Sequence, residues 1–390
     1  MKRLGCLLIV AAMLAAFLTQ ASGSAENPVT ITGNPVSAEL SLNCVSAILM
    51  ESETGKVLYE MNADQPLLPA SITKIMTLLL VMEAIEAGKL RLDEQLTCSA
   101  RAASMGGSQI YLEEGEQMTV EELIKCVVIS SANDAALMLA EAVAGSEEVF
   151  VDMMNKRAEE LGMKNSHFEN TNGLDDTVTN HVTSARDVAI MSRELIKYDK
   201  ILEYSKIWMD TTRDGTFGLT NTNRLIRFYK GATGLKTGST SKAKFCISAT
   251  AKRDGMHLIC VIMAAETRDI RNAAATTLLD WGFANFALFV SEESEMGEIR
   301  VTGGVDDSVG TKSGRFCCVV PKGDETKIER VVDMKESIAA PVREGEVVGT
   351  VKFVNGNETI GTADIVVTRN IEKIGFWQVL TRILRCFLIA

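Results

Sequence analysis

Ser71 and Lys74 stand three residues apart in Pro69-Ala-Ser-Ile-Thr-Lys74, at the head of a strongly apolar stretch that runs to Ala87. Residues three apart share a helix face, so the hydroxyl and the amine can meet. A serine hydroxyl is a poor nucleophile until a base takes its proton, and a lysine whose pKa is lowered by burial or by nearby positive charge is such a base. The three histidines, His167, His181 and His257, follow no catalytic spacing and read as structural, which turns the chemistry away from a Ser-His-Asp triad. Ser-x-x-Lys alone is a weak signal: Ser239 and Lys242 match it too, in a Gly/Ser/Thr-rich turn.

Two further groups supply context. Ser131-Ala-Asn133 falls in the break between two helices and offers a hydroxyl and an amide from a rigid turn. Gly234-Leu-Lys236-Thr237-Gly238 leads into a hairpin at Phe245, offering a cation, a hydroxyl and a glycine at a sheet edge. Glycine lets a substrate backbone approach closely, and Lys236 with Thr237 suits a carboxylate. Read singly, Ser71 and Asn133 would serve as helix caps and Lys236 as a solvated lysine.

Together and in this order, S-x-x-K, S-x-N and K-T-G resemble the active-site set of penicillin-binding proteins and serine β-lactamases. The longer matches at Pro69–Thr77, Ser131–Ala136, Gly234–Gly238 and Trp281-Gly-Phe283 are similar to the low-molecular-weight D-alanyl-D-alanine carboxypeptidases, over nearly the whole chain. The resemblance implies that Ser71 attacks the carbonyl between the last two D-alanines of a peptidoglycan stem peptide, with Lys74 as general base. It implies that Ser131 relays a proton to the departing D-alanine, that Asn133 holds the substrate amide, and that Lys236 helps keep Lys74 neutral. Thr237 would help bind the terminal carboxylate, beside Gly238, and the backbone N–H groups of Ser71 and Ser239 would form an oxyanion hole. Arg271, 35 positions after Lys236, matches an arginine that assists carboxylate recognition. Water would then hydrolyse the acyl-enzyme, with no metal or cofactor, and β-lactam antibiotics would acylate the same serine.

The chain departs from the pattern in places. Ser239 stands where some members carry histidine, and Asn221-Thr-Asn-Arg-Leu225 is recognisably similar without assigning a second substrate arginine. A serine β-lactamase is the nearest alternative, but a class A enzyme would use S-D-N and a glutamate-bearing loop with E-x-x-L-N, whereas this chain has S-A-N and Glu169-Asn-Thr-Asn-Gly173. A non-catalytic cell-wall binding protein on the same fold is the other alternative, and an intact Ser71 and Lys74 argue against it.

The elements that must position these residues follow from pattern. Strands are expected at Cys44–Met50 and Val57–Met61 around a Gly55 turn, and at Phe245–Thr250 and His257–Ala264 around Asp254-Gly255, a strong hairpin signal. Helices are expected from Ser71 to Ala87, from a Thr119/Glu122 capping box to Ile129, over Asp134–Ala144 up to Gly145, from Ser184, and through Leu278, Leu279, Trp281, Phe283, Phe286 and Leu288. Residues 149–185 carry no clear pattern. The expectation is an α/β (α+β) fold: a transpeptidase-like domain over 26–291 with an antiparallel sheet flanked by helices. From about Glu292, short β-branched runs separated by Gly, Asp and Asn turns predict a small all-β domain over 292–370.

The two ends carry much of the hydrophobicity of a chain of 390 residues that is 46% hydrophobic and bears a net charge of −11. Lys2, Arg3, the apolar run Leu7–Leu18 and the small residues Ala21–Ala25 read as a secretory signal peptide over 1–25. Residues 371–390 place Trp377, Ile383, Leu384 and Phe387 beside Lys373, Arg382 and Arg385, a basic amphipathic helix suited to an anionic membrane surface. An exported protein on the extracytoplasmic face of the cytoplasmic membrane is thus expected. The acidic balance and the lack of a basic run exclude a nucleic-acid partner. Nine cysteines show no C-x-x-C, and most read as buried thiols, with the adjacent Cys317 and Cys318 undecided.

Overall fold

The computed structural model describes residues 40–176 and 178–389, with side chains described to residue 384; the expected signal peptide lies outside them. The central sheet has five strands in the order Val57–Met61, Ser46–Glu51, Met256–Ala265, Lys244–Arg253, Ala232–Thr240, and every pairing is antiparallel. Side chains alternate across a strand, and here both faces are apolar. Ile259, Val261 and Met263 enter one core while Leu258, Cys260 and Ile262 enter the other. Helices must therefore cover both faces. Arg268–Asn285 covers one, and Lys74–Glu86, with the helices around it, the other.

Several expected devices are in place. Asp254 and Gly255 have φ of +49° and +83°, the two positive values a tight right-twisted hairpin requires. Thr119 and Glu122 form a reciprocal capping box, Ser184 accepts from the Asp187 N–H, and Gly145 closes Asn133–Ala144 in the left-handed region. The helix Lys74–Glu86 is buried from Lys74 through Met82, so it forms the centre of the helical layer rather than one side of it.

A second core lies toward the C-terminus. Six strands run in the order Ile328–Met334, Val347–Asn355, Glu358–Val367, Ser308–Ser313, Ser294–Thr302, Ser337–Ala339, and Phe286–Ser291 pairs separately with Phe316–Pro321. Phe316 and Phe353 stack with ring centres 4.4 Å apart in this core.

Three differences from expectation have physical causes. The helix at Leu278 stops at Asn285, and Phe286 and Leu288 belong to a strand, Phe286 being extended and paired with Pro321. Apolar residues continue across that junction, so their spacing did not mark it. The unassigned segment holds most of the helix Glu147–Glu160, capped by Ser146 but mostly polar on its surface. The tail helix begins at Phe376, because Ile371 is instead buried in the C-terminal core, bridged to Val342.

Candidate active site

Ser71 sits in a single 3-10 turn, Ala70–Thr73, that leads into the helix beginning at Lys74. The edge strand Ala232–Thr240 crosses this turn at Gly238. A Cβ built there would lie 2.8 Å from the Pro69 carbonyl oxygen and 2.9 Å from the Ser71 nitrogen, so only glycine admits the close approach. Behind the turn, Gly173 has φ +85° and lies so close that a Cβ would fall 1.8 Å from the Ala70 carbonyl oxygen. The nucleophile's turn is thus clamped between two backbone segments.

Lys74 is fully buried, with Nζ 3.0 Å from Ser71 Oγ and donating to the Asn172 carbonyl at 2.8 Å. The preceding residue, Thr171, is held at both its carbonyl and its hydroxyl. Thr77 Oγ1 donates to the Thr171 carbonyl at 2.6 Å, and the Glu147 carboxylate accepts from Thr171 Oγ1 at 3.1 Å. Burial, and next the Lys236 charge, hold the Lys74 pKa well below the ordinary lysine value, against a smaller opposing pull from Asp134. Lys236 is itself buried, which with the nearby Arg271 lowers it to about 7. Its Nζ donates to the Thr237 carbonyl at 3.0 Å.

Ser131 has φ +66°, a strained position for a non-glycine residue, and its Oγ is buried with no protein partner. Asn133 donates from Nδ2 to the Gly106 carbonyl at 2.6 Å, leaving Oδ1 buried and unpartnered. Unpaired buried acceptors are costly, and they mark places where a ligand or water completes the bonding. Asp134, next in sequence, accepts from the N–H groups of Ile110 and Leu112, both at 3.1 Å, and so pins the loop that faces Asn133. Thr237 Oγ1 donates to Thr222 Oγ1 at 2.8 Å.

One cavity of about 690 Å³ is lined by Ser71, Ser131, Thr237, Gly238, Ser239 and Arg271, with Lys74, Asn133 and Lys236 buried immediately around it. All nine expected residues therefore meet at one place. The competing Ser239/Lys242 pair does not: Lys242 Nζ donates to the Asp175 carbonyl at 2.9 Å. His181 is bonded to Thr73 Oγ1 at 2.8 Å, and burial lowers its pKa to about 4, so it is a neutral prop beside the turn. His257 sits likewise against Thr233. Among the described residues, the seven cysteines from Cys44 to Cys318 are unpaired thiols, Cys317 and Cys318 included.

Sequence reasoning missed Trp208, Thr222, Arg227 and Arg268 on the cavity wall, and left Arg224 unassigned there. None of them has motif spacing. The only available signal was a local run of arginines, Arg224 and Arg227, in an acidic chain.

Comparison with known proteins points to one family. A family model described as D-alanyl-D-alanine carboxypeptidase matches residues 32–267, and one described as penicillin-binding protein 5, C-terminal domain, matches residues 286–373. The chain is 40% identical to D-alanyl-D-alanine carboxypeptidase DacF of Bacillus subtilis, over 98% of each sequence. Its fold is similar to penicillin binding protein 5 from Haemophilus influenzae, with a TM-score of 0.74 and 30% identity over 86% of this chain and 99% of that one. It is also similar to penicillin-binding protein D2 from Listeria monocytogenes in the ampicillin-bound form, with a TM-score of 0.58 and 32% identity over 63% of this chain and 100% of that one.

Proposed function

Because this chain belongs to the D-alanyl-D-alanine carboxypeptidase family, we propose that Ser71 is the nucleophile with which it removes the terminal D-alanine from peptidoglycan stem peptides. The observation that carries the assignment is the 3.0 Å approach of a fully buried Lys74 amine to Ser71 Oγ, beside a second buried lysine. A neutral Lys74 takes the Ser71 proton as Oγ bonds to the carbonyl carbon. The backbone N–H groups of Ser71 and Ser239 receive the oxyanion, an arrangement worth roughly 3–4 kcal/mol per donor. The C–N bond then breaks as the proton held by Lys74 is relayed through Ser131 to the departing D-alanine amine, which returns Lys74 to its neutral form. Asn133 holds the substrate amide, while Thr237 and Arg271 take the terminal carboxylate. Water, deprotonated in turn by Lys74, releases the shortened peptide.

Among the described residues no carboxylate lines the cavity, and Glu169 is turned away to accept from Thr179 Oγ1 at 3.0 Å. That disfavours a β-lactamase, which needs a positioned base for rapid deacylation. Penicillin reacts with the same serine and leaves slowly. Export by the N-terminal segment and attachment to the outer face of the cytoplasmic membrane by the tail helix complete the reading.

The test is mass spectrometry of the purified protein after labelled penicillin, with a D-alanine release assay on a pentapeptide. The label is expected on the peptide containing Ser71, and Ser71→Ala is expected to lose both label and release while keeping its melting temperature. A labelled Ser71→Ala variant would refute the nucleophile, and a folded wild-type protein inert in both assays would refute the enzyme.

A further inference from the structure

Many arginines elsewhere in the body are matched to carboxylates, among them Arg186 to Glu60 and Asp64, Arg213 to Glu116, Arg253 to Asp280 and Arg315 to Glu292, whereas Arg193, Arg300, Arg330 and Arg343 stand apart from one another without an ion pair among the described residues. The exposed Arg224, Arg227 and Arg268 on the cavity wall form no ion pair among the described residues. They also crowd a like charge: burial first, and then Arg268 and Arg224, lower the Arg271 pKa, against opposing pulls from Cys246 and Asp269. In a chain of net charge −11, three unpaired cations gathered around one cavity favour an anionic ligand there. The terminal D-alanine supplies one carboxylate, and Lys236, Thr237 and Arg271 already provide for it.

Arg227 is also held in place. Its guanidinium lies 5.6 Å from the Trp208 ring centre and 5.4 Å from that of Phe228, the two rings meeting edge to face at 6.3 Å. These cation–π contacts restrain the exposed guanidinium while leaving its N–H groups available to an acceptor. Trp208 Nε1 adds a buried donor with no protein partner. The cavity, at about 690 Å³, is of the size that holds a drug-sized ligand, more than two alanines fill.

We propose that Arg227 and Arg268, with Arg224, form a second anion subsite that reads a carboxylate carried by the stem peptide upstream of its D-Ala-D-Ala end. The inference rests on the carboxypeptidase reading. Two groups in a stem peptide have this chemistry: a side-chain carboxylate on the third residue, and the α-carboxylate of the second-position D-glutamate when it is not amidated.

Four pentapeptides L-Ala-γ-D-Glu-X-D-Ala-D-Ala separate them, with X as meso-diaminopimelate or L-lysine and the glutamate free or amidated. The measurement is kcat and KM for D-alanine release by the full chain. Loss of the recognised carboxylate is expected to lower kcat/KM by about 10- to 100-fold, mostly through KM, as for a hydrogen bond to a charged group. Arg227→Gln and Arg268→Gln are expected to shrink that preference to within about threefold, whereas Arg343→Gln, an exposed arginine of the C-terminal sheet region, is expected to retain it. A 500 mM salt arm should shrink it in the wild type as well. Four peptides cleaved at similar rates, or a preference that survives both substitutions, would overturn the subsite while leaving the carboxypeptidase reading intact. Cleavage of none would overturn both.

Discussion

At the scale of single residues, the site's chemistry turns on two lysines buried in one place. Burial raises the cost of each charge, and Lys236 raises it further for Lys74, so Lys74 reaches its neutral, base-competent form well below the ordinary lysine range. A base with a lowered pKa is active above that pKa and loses activity as pH falls through it, so acylation is expected to have an acid limb set by Lys74. Lys236→Ala removes the second-largest cause of the lowering, and the acid limb of penicillin acylation is expected to move to higher pH. The pH profile of the second-order acylation rate checks this; a limb that stays in place would mean that Lys236 acts on substrate alone. The lysines, Ser71, Ser131 and Asn133 were legible because motif order fixes them. Asn172 and Glu147 were not: the first acts through its backbone carbonyl, and the second through Thr171, and neither role depends on a residue pattern.

At the scale of elements, the site exists because an edge strand and a helix turn touch without an intervening side chain. Gly238→Ala would place a methyl 2.8 Å from the Pro69 carbonyl oxygen and 2.9 Å from the Ser71 nitrogen, and both neighbours are backbone that cannot rotate away. The strand must then shift from the turn, separating Ser239 from Ser71. Overpacking of this kind costs about 1–3 kcal/mol, so penicillin acylation is expected to slow roughly tenfold or more with only a few degrees' change in melting temperature. A wild-type acylation rate in the folded variant would show that the strand does not set the site's geometry. Hairpins and capped helices were readable because Asp254-Gly255 and Thr119/Glu122 carry their geometry locally. The helix-to-strand switch at Phe286 was not, since it depends on pairing with Phe316–Pro321, about thirty residues later.

At the scale of the whole molecule, a chain of net charge −11 is repelled by an anionic surface, so the proposed attachment would rely on a local exception. The tail helix Phe376–Ile389 is that exception: Lys373, Arg382 and Arg385 against Glu372 give residues 371–390 a net +2. It touches the C-terminal core region through Arg382, which bonds Asp307 at 2.9 Å, yet Phe376, Trp377, Ile383 and Leu384 remain exposed, Trp377 by 76%. An apolar face left uncovered by its own body is suited to an interface, and no helix among the described residues is long and apolar enough to cross a bilayer. The place of the cut matters, because Ile371 is 1% exposed in the C-terminal core and Ile374 donates its N–H to the Gly303 carbonyl. Deleting residues 375–390 is therefore expected to abolish cosedimentation with anionic phospholipid vesicles while leaving the melting temperature within a few degrees. Deleting 371–390 should also remove a buried isoleucine, costing about 2–5 kcal/mol and lowering the melting temperature of the C-terminal core. Vesicle binding that survives the shorter deletion would place the membrane contact elsewhere and make the Arg382–Asp307 pair the helix's real anchor, holding it as a strut on its own domain.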